Sequence, residues 1–148
     1  IAEALPEAKI VCIRRNPMDA CFSNLKELFA NDSYGYSYRL DELADHYHRF
    51  DLLARHWQAT MPGNFHIVEY EALVSDPVAA SAEVFAFCGL DFYEAYVDIT
   101  RNSAPVATAS AAQVRSPIDS KNIGSWKDYE AELGGLKSRL EALGYAIG

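Results

Sequence analysis

The sequence predicts an α/β domain built on short parallel strands, with part of its sheet lying outside the chain. Three observations predict it. The apolar run Ile10-Val11-Cys12-Ile13, within Lys9 to Arg14, has the character of a strand covered on both faces and leads at once into a capped helix start. A second short run, Phe65 to Tyr70, follows a long amphipathic segment, and parallel strands need such a crossover between them. Two strands against five or six helices make a lopsided domain, because doubly wound sheets normally carry more strands.

The elements follow in order. Leu5-Pro6-Glu7-Ala8-Lys9 opens into the first strand, and Asn16 then caps a helix with Pro17 at its first position and Asp19 at N3, where a carboxylate complements the dipole. That helix is expected over 17–30. The polar and aromatic stretch 31–38, Asn-Asp-Ser-Tyr-Gly-Tyr-Ser-Tyr, reads as a loop. Leu43, Tyr47, Phe50, Ala54, Trp57 and Met61 then recur at spacings of three and four, the apolar face of a long helix that Pro62-Gly63-Asn64 stops. After the second strand, Asp76-Pro77 repeats the device of a cap followed by proline and starts a helix over 77–88, ended by Gly89. A shorter helix is expected around 92–98, then an aperiodic loop over 100–124. Ser125-Trp126-Lys127-Asp128 resembles a capping box, starting a helix that Gly134-Gly135 interrupts, and a last helix over 136–143 ends at Gly144.

With 148 residues, half of them apolar, the chain can bury one core and amounts to one domain, 1–148. Thirteen basic against 21 acidic residues give a net charge of -8, which argues against a general nucleic-acid or anionic-membrane surface, so any anion site must be local. Cys12, Cys21 and Cys88 lack metal-ligand spacing and read as buried thiols of a reducing, cytoplasmic compartment rather than a disulfide framework. Within these 148 residues no signal-peptide pattern and no apolar run of about 18 residues that would span a membrane is seen. The chain starts at Ile1 and leads straight into a core strand, so the expectation is a piece whose missing part is N-terminal.

Arg15 is the sharpest candidate for chemistry. It stands where a strand ends and a helix begins, the place where ligands of α/β folds settle and where free N–H groups favour anions. Its planar guanidinium can grip a phosphate by two hydrogen bonds, and the Ser23 hydroxyl, two turns into the helix, can add another. The competing reading is that Arg14 or Arg15 makes an ordinary ion pair and Ser23 merely packs. Other groupings weigh less. His46, His48 and His56 share the long helix without a metal-binding pattern and read as solvated or rim residues. Asp41, Glu42, Asp45 and Asp51, interleaved with Arg39, Arg49 and Arg55, read as that helix's solvated face. Tyr34, Tyr36 and Tyr38 could line an acceptor site or a partner surface.

Arg15-Asn16-Pro17-x-Asp19 with Ser23 resembles the 3′-phosphate-binding motif of sulfotransferases that use 3′-phosphoadenosine 5′-phosphosulfate (PAPS). Val68-Glu69-Tyr70-Glu71-Ala72-Leu73 followed by Asp76-Pro77 is similar to the strand and turn that come next in this family, with Ala72 in place of the usual Asp. Phe85-x-Phe87-Cys88-Gly89-Leu90 continues the likeness. Gln113-Val114-Arg115-x-Pro117-Ile118, Ile123-Gly124-x-Trp126-Lys127-x-Tyr129 and Glu132-Leu133-Gly134 resemble the cofactor-covering segment of bacterial sulfotransferases often fused to tetratricopeptide repeats. The resemblance implies a P-loop-like, three-layer α/β fold and a nucleotide cofactor, PAPS or its product 3′-phosphoadenosine 5′-phosphate (PAP). It implies that Arg15 and Ser23 hold the 3′-phosphate and that Tyr70 lies near the adenine. Ser110, Arg115 and Gly124-Ser125-Trp126-Lys127 are then expected to fold over the nucleotide, with Arg115 or Lys127 meeting phosphate charge where Ser125 replaces the usual basic residue.

The glycine-rich loop that cradles the 5′-phosphosulfate in such enzymes has no counterpart in these 148 residues, neither Gly-x-x-x-x-Gly-Lys nor a Ser-Gly-Thr-Thr-like run. Catalytic residues are therefore expected in the missing N-terminal part, and the segment alone is expected to be inactive. Its parent would transfer a sulfuryl group to a hydroxyl or amine of a small-molecule or peptide acceptor. Apolar surface left by absent strands would favour self-association. Two rival readings stand beside this one: a non-catalytic interaction module using the tyrosine-rich loop and long helix, and a nucleotide kinase relative, against which the Tyr70-Glu71 and Gly124-x-Trp126-Lys127 elements speak.

Overall fold

The structure, a computed structural model, describes residues 1–27, 29, 32–101 and 118–148. It is a mixed α/β arrangement in which β1 (Ile10–Arg14) and β2 (Phe65–Glu69) pair in parallel, in register from Ile10 opposite Phe65 to Arg14 opposite Glu69. The crossover between them is made of α1 (Pro17–Lys26), a 3-10 turn (Asp32–Tyr38) and α2 (Leu40–Thr60). Beyond β2 come α3 (Tyr70–Ser75) and α4 (Pro77–Cys88), then 3-10 turns at Glu94–Val97, Ile99–Arg101 and Ser125–Tyr129, and finally α5 (Gly134–Ala142). This is the short parallel sheet with many helices expected of an incomplete sulfotransferase-like fold. Among the described residues, no helix is long and apolar enough to cross a membrane.

Local chemistry sets most boundaries. Asn16 Oδ1 accepts from the N–H groups of Met18 and Asp19 at 3.0 and 3.3 Å, satisfying two of the orphan donors at the start of α1, where Pro17 has none to lose. Asp76 caps α4 the same way through Ala79 N–H at 3.0 Å, and Gly89 ends that helix in the left-handed region at φ 70°, which costs glycine nothing.

The core lies between α1, α2 and the C-terminal segment. Met18, Cys21 and Phe22 from α1 meet Leu43, Ala44 and Tyr47 from α2, and Trp126, Leu133, Leu136 and Leu140 close over them. Each large apolar side chain so buried contributes about 1.5–3 kcal/mol, enough to hold residues 126–140 across the start of α1. All three cysteines are free thiols; Cys21 alone is buried, while Cys12 and Cys88 are half-buried.

Several expectations are corrected. α1 stops at Lys26 rather than near residue 30: Glu27 is extended, and its N–H returns to the Asn24 carbonyl at 3.2 Å in a tightened last turn. The loop expected over 31–38 is instead largely a 3-10 turn, pinned by the Ser37 hydroxyl donating to the Tyr34 carbonyl at 2.8 Å. α2 presents Leu43, Ala44, Tyr47, Asp51 and Ala54 inward, while Phe50 and Trp57 of the expected stripe are 37% and 38% exposed. Asp51 thus belongs to the interior and not to a solvated face. β1 is not covered on both faces, since Val11 and Ile13 are 38% and 57% exposed on the open side of a two-stranded sheet. Ser125 does not form a capping box. Gly124 precedes its turn at φ 72°, and the turn is 3-10 with no side-chain cap. Gly134 and Gly135 begin α5 rather than interrupt a helix.

Candidate functional site

The two strand ends interlock residue by residue. Arg14 and Glu69 are register partners, and the Arg14 guanidinium grips the Glu69 carboxylate through Nε, at 3.0 Å to Oε1, and through Nη2. One residue on, the Arg15 guanidinium lies over the Tyr70 ring, 4.8 Å from its centroid, a cation–π contact. One further, the Asn16 N–H donates to Glu71 Oε1 at 2.8 Å. Each residue of Arg14-Arg15-Asn16 is therefore held by its counterpart in Glu69-Tyr70-Glu71.

The two arginines are in different electrostatic states. Arg14 faces two carboxylates, because its Nη1 also donates to Asp51 Oδ1 at 3.0 Å; hydrogen bonding to Glu69 leads the causes that push its pKa above the ordinary arginine value. Among the described residues Arg15 has one weak ionic partner, Asp19 Oδ1 at 3.9 Å, and donates through Nη2 to the Asn122 carbonyl. Its Nε is buried with no hydrogen-bond partner among the described residues, and neither does its Nη1 have one. A guanidinium carries five donors, so Arg15 keeps unspoken-for capacity at a strand end.

Asp19 organises the other wall. It is 1% exposed, and its Oδ2 accepts from the Gly124 N–H at 2.7 Å, tying the first turn of α1 to the C-terminal segment. Ser23 follows Asp19 by one helical turn and so shares its face of α1; it is half-buried, and its hydroxyl has no partner among the described residues.

α2 supports the strand end from behind. The Tyr47 hydroxyl donates to the Arg15 carbonyl at 2.6 Å. Asp51, one turn on, receives Arg14, Arg55 Nη2 at 2.8 Å and the Tyr145 hydroxyl at 2.9 Å. Burial works to raise the Asp51 carboxyl, but the hydrogen bonds from Arg55, Tyr145 and Arg14 outweigh it and hold the group below the usual carboxylate range. Burial, and then the charge of Asp51, pushes the Tyr47 phenol up, so it is a committed donor at neutral pH. A cleft of about 320 Å³ opens over Arg14, Arg15, Asn16 and Tyr145, and a second of about 230 Å³ lies between Arg15, Asn24, His46 and Phe50.

Of the expected site residues, the structure brings Arg15, Tyr70 and Gly124 together, with Ser23 on the adjoining face. The Gly124 N–H is already taken by Asp19. Trp126 is a core residue, 3% exposed, with the Lys127 and Lys137 ammonium groups over its ring at 5.8 and 5.9 Å. Ser125 is half-buried and Lys127 exposed. Ser110 and Arg115 lie outside the described residues. Sequence reasoning missed Asp51, Tyr47, Glu69, Glu71 and Asn122 as partners of the strand end. The one available signal was opposite charge at the two strand ends, Arg14-Arg15 after the first and Glu69 with Glu71 around Tyr70 after the second. The histidines do not gather: His46 stacks on Tyr36 at 3.7 Å between centroids, and His48 Nδ1 sits 3.1 Å from the Tyr145 hydroxyl.

A protein of Aquifex aeolicus (strain VF5), described as uncharacterized, is 28% identical over 130 residues. That stretch is 86% of this chain and 17% of the relative, so the chain spans well under two thirds of the length of the curated protein it matches. The sequence profile described as "Sulfotransferase family" matches residues 1–94, which include both strands and the whole Arg14–Asn16 and Glu69–Glu71 interlock. The α/β architecture, the strand-end arginine and this match over more than half its length agree: the chain belongs to the sulfotransferase family.

Proposed function

We propose that this chain forms the 3′-phosphate and adenine side of the PAPS site of a sulfotransferase. Its parent protein moves the sulfuryl group to a hydroxyl or amine on a small-molecule or peptide acceptor. The observation that carries the reading is Arg15: it ends a parallel strand, keeps a buried Nε with no partner among the described residues, and has one carboxylate at the outer limit of an ion pair. Arg14 beside it is neutralised twice over, so the excess positive charge of this strand end sits on Arg15.

The residues fit the group. Arg15 can present two parallel donors to phosphate oxygens while Nη2 stays with Asn122. Ser23 offers a hydroxyl with no partner among the described residues on the adjoining face of α1, and Lys127, exposed one turn beyond Gly124, supplies further positive charge. Tyr70 has its ring face under Arg15 and its hydroxyl without a partner among the described residues, which suits it to lie at the edge of a purine. The bound donor supplies the activated sulfuryl group; these residues bind and orient its nucleotide end, and such positioning dominates the catalysis of group transfer.

Calorimetric titration of the full-length protein with PAP tests the reading. Arg15→Ala is expected to weaken that binding by about 2–4 kcal/mol, the scale of a lost charge-assisted bidentate contact, and to leave the weaker binding of adenosine 5′-phosphate nearly unchanged. Equal PAP affinity in the two proteins removes Arg15 from the site.

A further inference from the structure

Arg15 is a long side chain with many rotatable bonds, and an anion site needs it aimed. Three contacts act on it or its neighbours from α2 and α3: the Tyr47 hydroxyl on its carbonyl at 2.6 Å, Glu71 on the next N–H at 2.8 Å, and Asp51 on the Arg14 guanidinium at 3.0 Å. Successive side chains of an extended chain point to opposite sides, so whatever anchors Arg14 on one side directs Arg15 to the other. Asp51 is well built for that anchoring. It is 2% exposed, it is held by Arg55 and Tyr145 as well, and it stands one turn from Tyr47 on the same buried face of α2.

We propose that Tyr47 and Asp51 are positioning residues for the 3′-phosphate: Asp51, together with Glu69, keeps Arg14 away from the anion, and Tyr47 fixes the main chain from which Arg15 reaches it. Neither residue touches the anion. The proposal rests on the PAPS reading of the Arg15 site, and it goes further by making the discrimination of a 3′-phosphate a property of α2. With Asp51 neutral, Arg14 keeps Glu69 alone as its charged anchor and its Nη1 end is less firmly held, so its positive charge competes with Arg15 for the anion. Without the Tyr47 hydroxyl, the Arg15 carbonyl loses its donor and the strand end its fixed direction.

The test measures affinities of PAP and of adenosine 5′-phosphate for the full-length protein and its Asp51→Asn, Tyr47→Phe and Arg15→Ala variants. Positioning predicts that Asp51→Asn and Tyr47→Phe each weaken PAP about tenfold, the loss of one hydrogen bond to or around a charged group, while adenosine 5′-phosphate moves by less than about twofold. A purely structural role weakens both ligands in parallel and overturns the proposal, as does an unchanged ratio in the two variants. Should Asp51→Asn fail to fold, Tyr47→Phe decides alone, since it deletes one oxygen and keeps the ring. Wild-type protein that binds no PAP overturns the cofactor reading and this inference with it; PAP binding lost in Arg15→Ala but untouched in both α2 variants overturns this inference only.

Discussion

Asp19→Ala cuts the hydrogen bond that ties Gly124 of the C-terminal segment to the first turn of α1, and its size can be worked from the contacts. Asp19 Oδ2 accepts from Gly124 N–H at 2.7 Å, a charge-assisted bond inside the protein; its other oxygen faces Arg15 at 3.9 Å, too far for a hydrogen bond. The weight therefore falls on the Gly124 contact, worth about 1.5–3 kcal/mol, with the N–H left wanting a partner. Local opening of residues 122–126 becomes easier by that amount. Hydrogen exchange of this segment, followed by mass spectrometry in the full-length protein, is expected to accelerate roughly 10- to 150-fold while α5 keeps its protection. Asp19→Asn retains an acceptor for Gly124 but only a neutral one, about half as strong, so its acceleration is expected to stay below about tenfold. Exchange of 122–126 in Asp19→Ala within about twofold of wild type would refute the latch.

Two further outcomes follow from titration behaviour. Burial pushes the Cys21 thiol up to about 12, so at pH 8 it is expected to resist a disulfide reagent until denaturant is added; rapid modification of Cys21 in native protein, mapped by peptide mass, contradicts the packing of α1 on α2. The Asp51 carboxyl is held below its ordinary value, so the stability it contributes is complete above about pH 4 and is lost as the pH falls through its lower folded-state value. Thermal melting between pH 3 and about pH 5 is expected to fall less steeply for Asp51→Asn than for wild type, and identical slopes count against Asp51 being charged in the folded state.

Features written in adjacent residues were legible. Asn16-Pro17 and Asp76-Pro77 announce their helices because a cap acts within three positions, and Gly89 announces a stop because only glycine takes its φ without strain. Arg15 was legible as a candidate anion ligand from strand-end position and residue type. Asp51 was not. Its helix periodicity places it beside the apolar stripe, and a carboxylate there looks solvated until Arg14, 37 residues away, and Tyr145, 94 away, are brought to it. The link of Asp19 to Gly124 spans 105 residues, and nothing local distinguishes Asp19 from any acidic residue favouring a helix dipole. The capping box expected at Ser125 failed for a related reason: burying Trp126 between α1, α2 and α5 sets the direction of that turn, and tertiary packing outweighs a contact worth about 1 kcal/mol.

A chain of net charge -8 can still carry an anion site because the carboxylates around Arg15 are already engaged. Glu69 and Asp51 hold Arg14, Glu71 accepts from the Asn16 amide, and Asp51 is shared with Arg55. Asp19 is the exception, for it faces Arg15 and draws on the same charge a phosphate would use. Arginine resolves that conflict where lysine could not. Its five donors lie in one plane, so one edge can serve Asn122 and Asp19 while another stays open to a bidentate ligand, and its flat cation can rest on Tyr70 meanwhile. A lysine ammonium is a point charge that would collapse onto the Asp19 carboxylate. The geometry around residue 15 therefore requires the guanidinium shape as much as its charge.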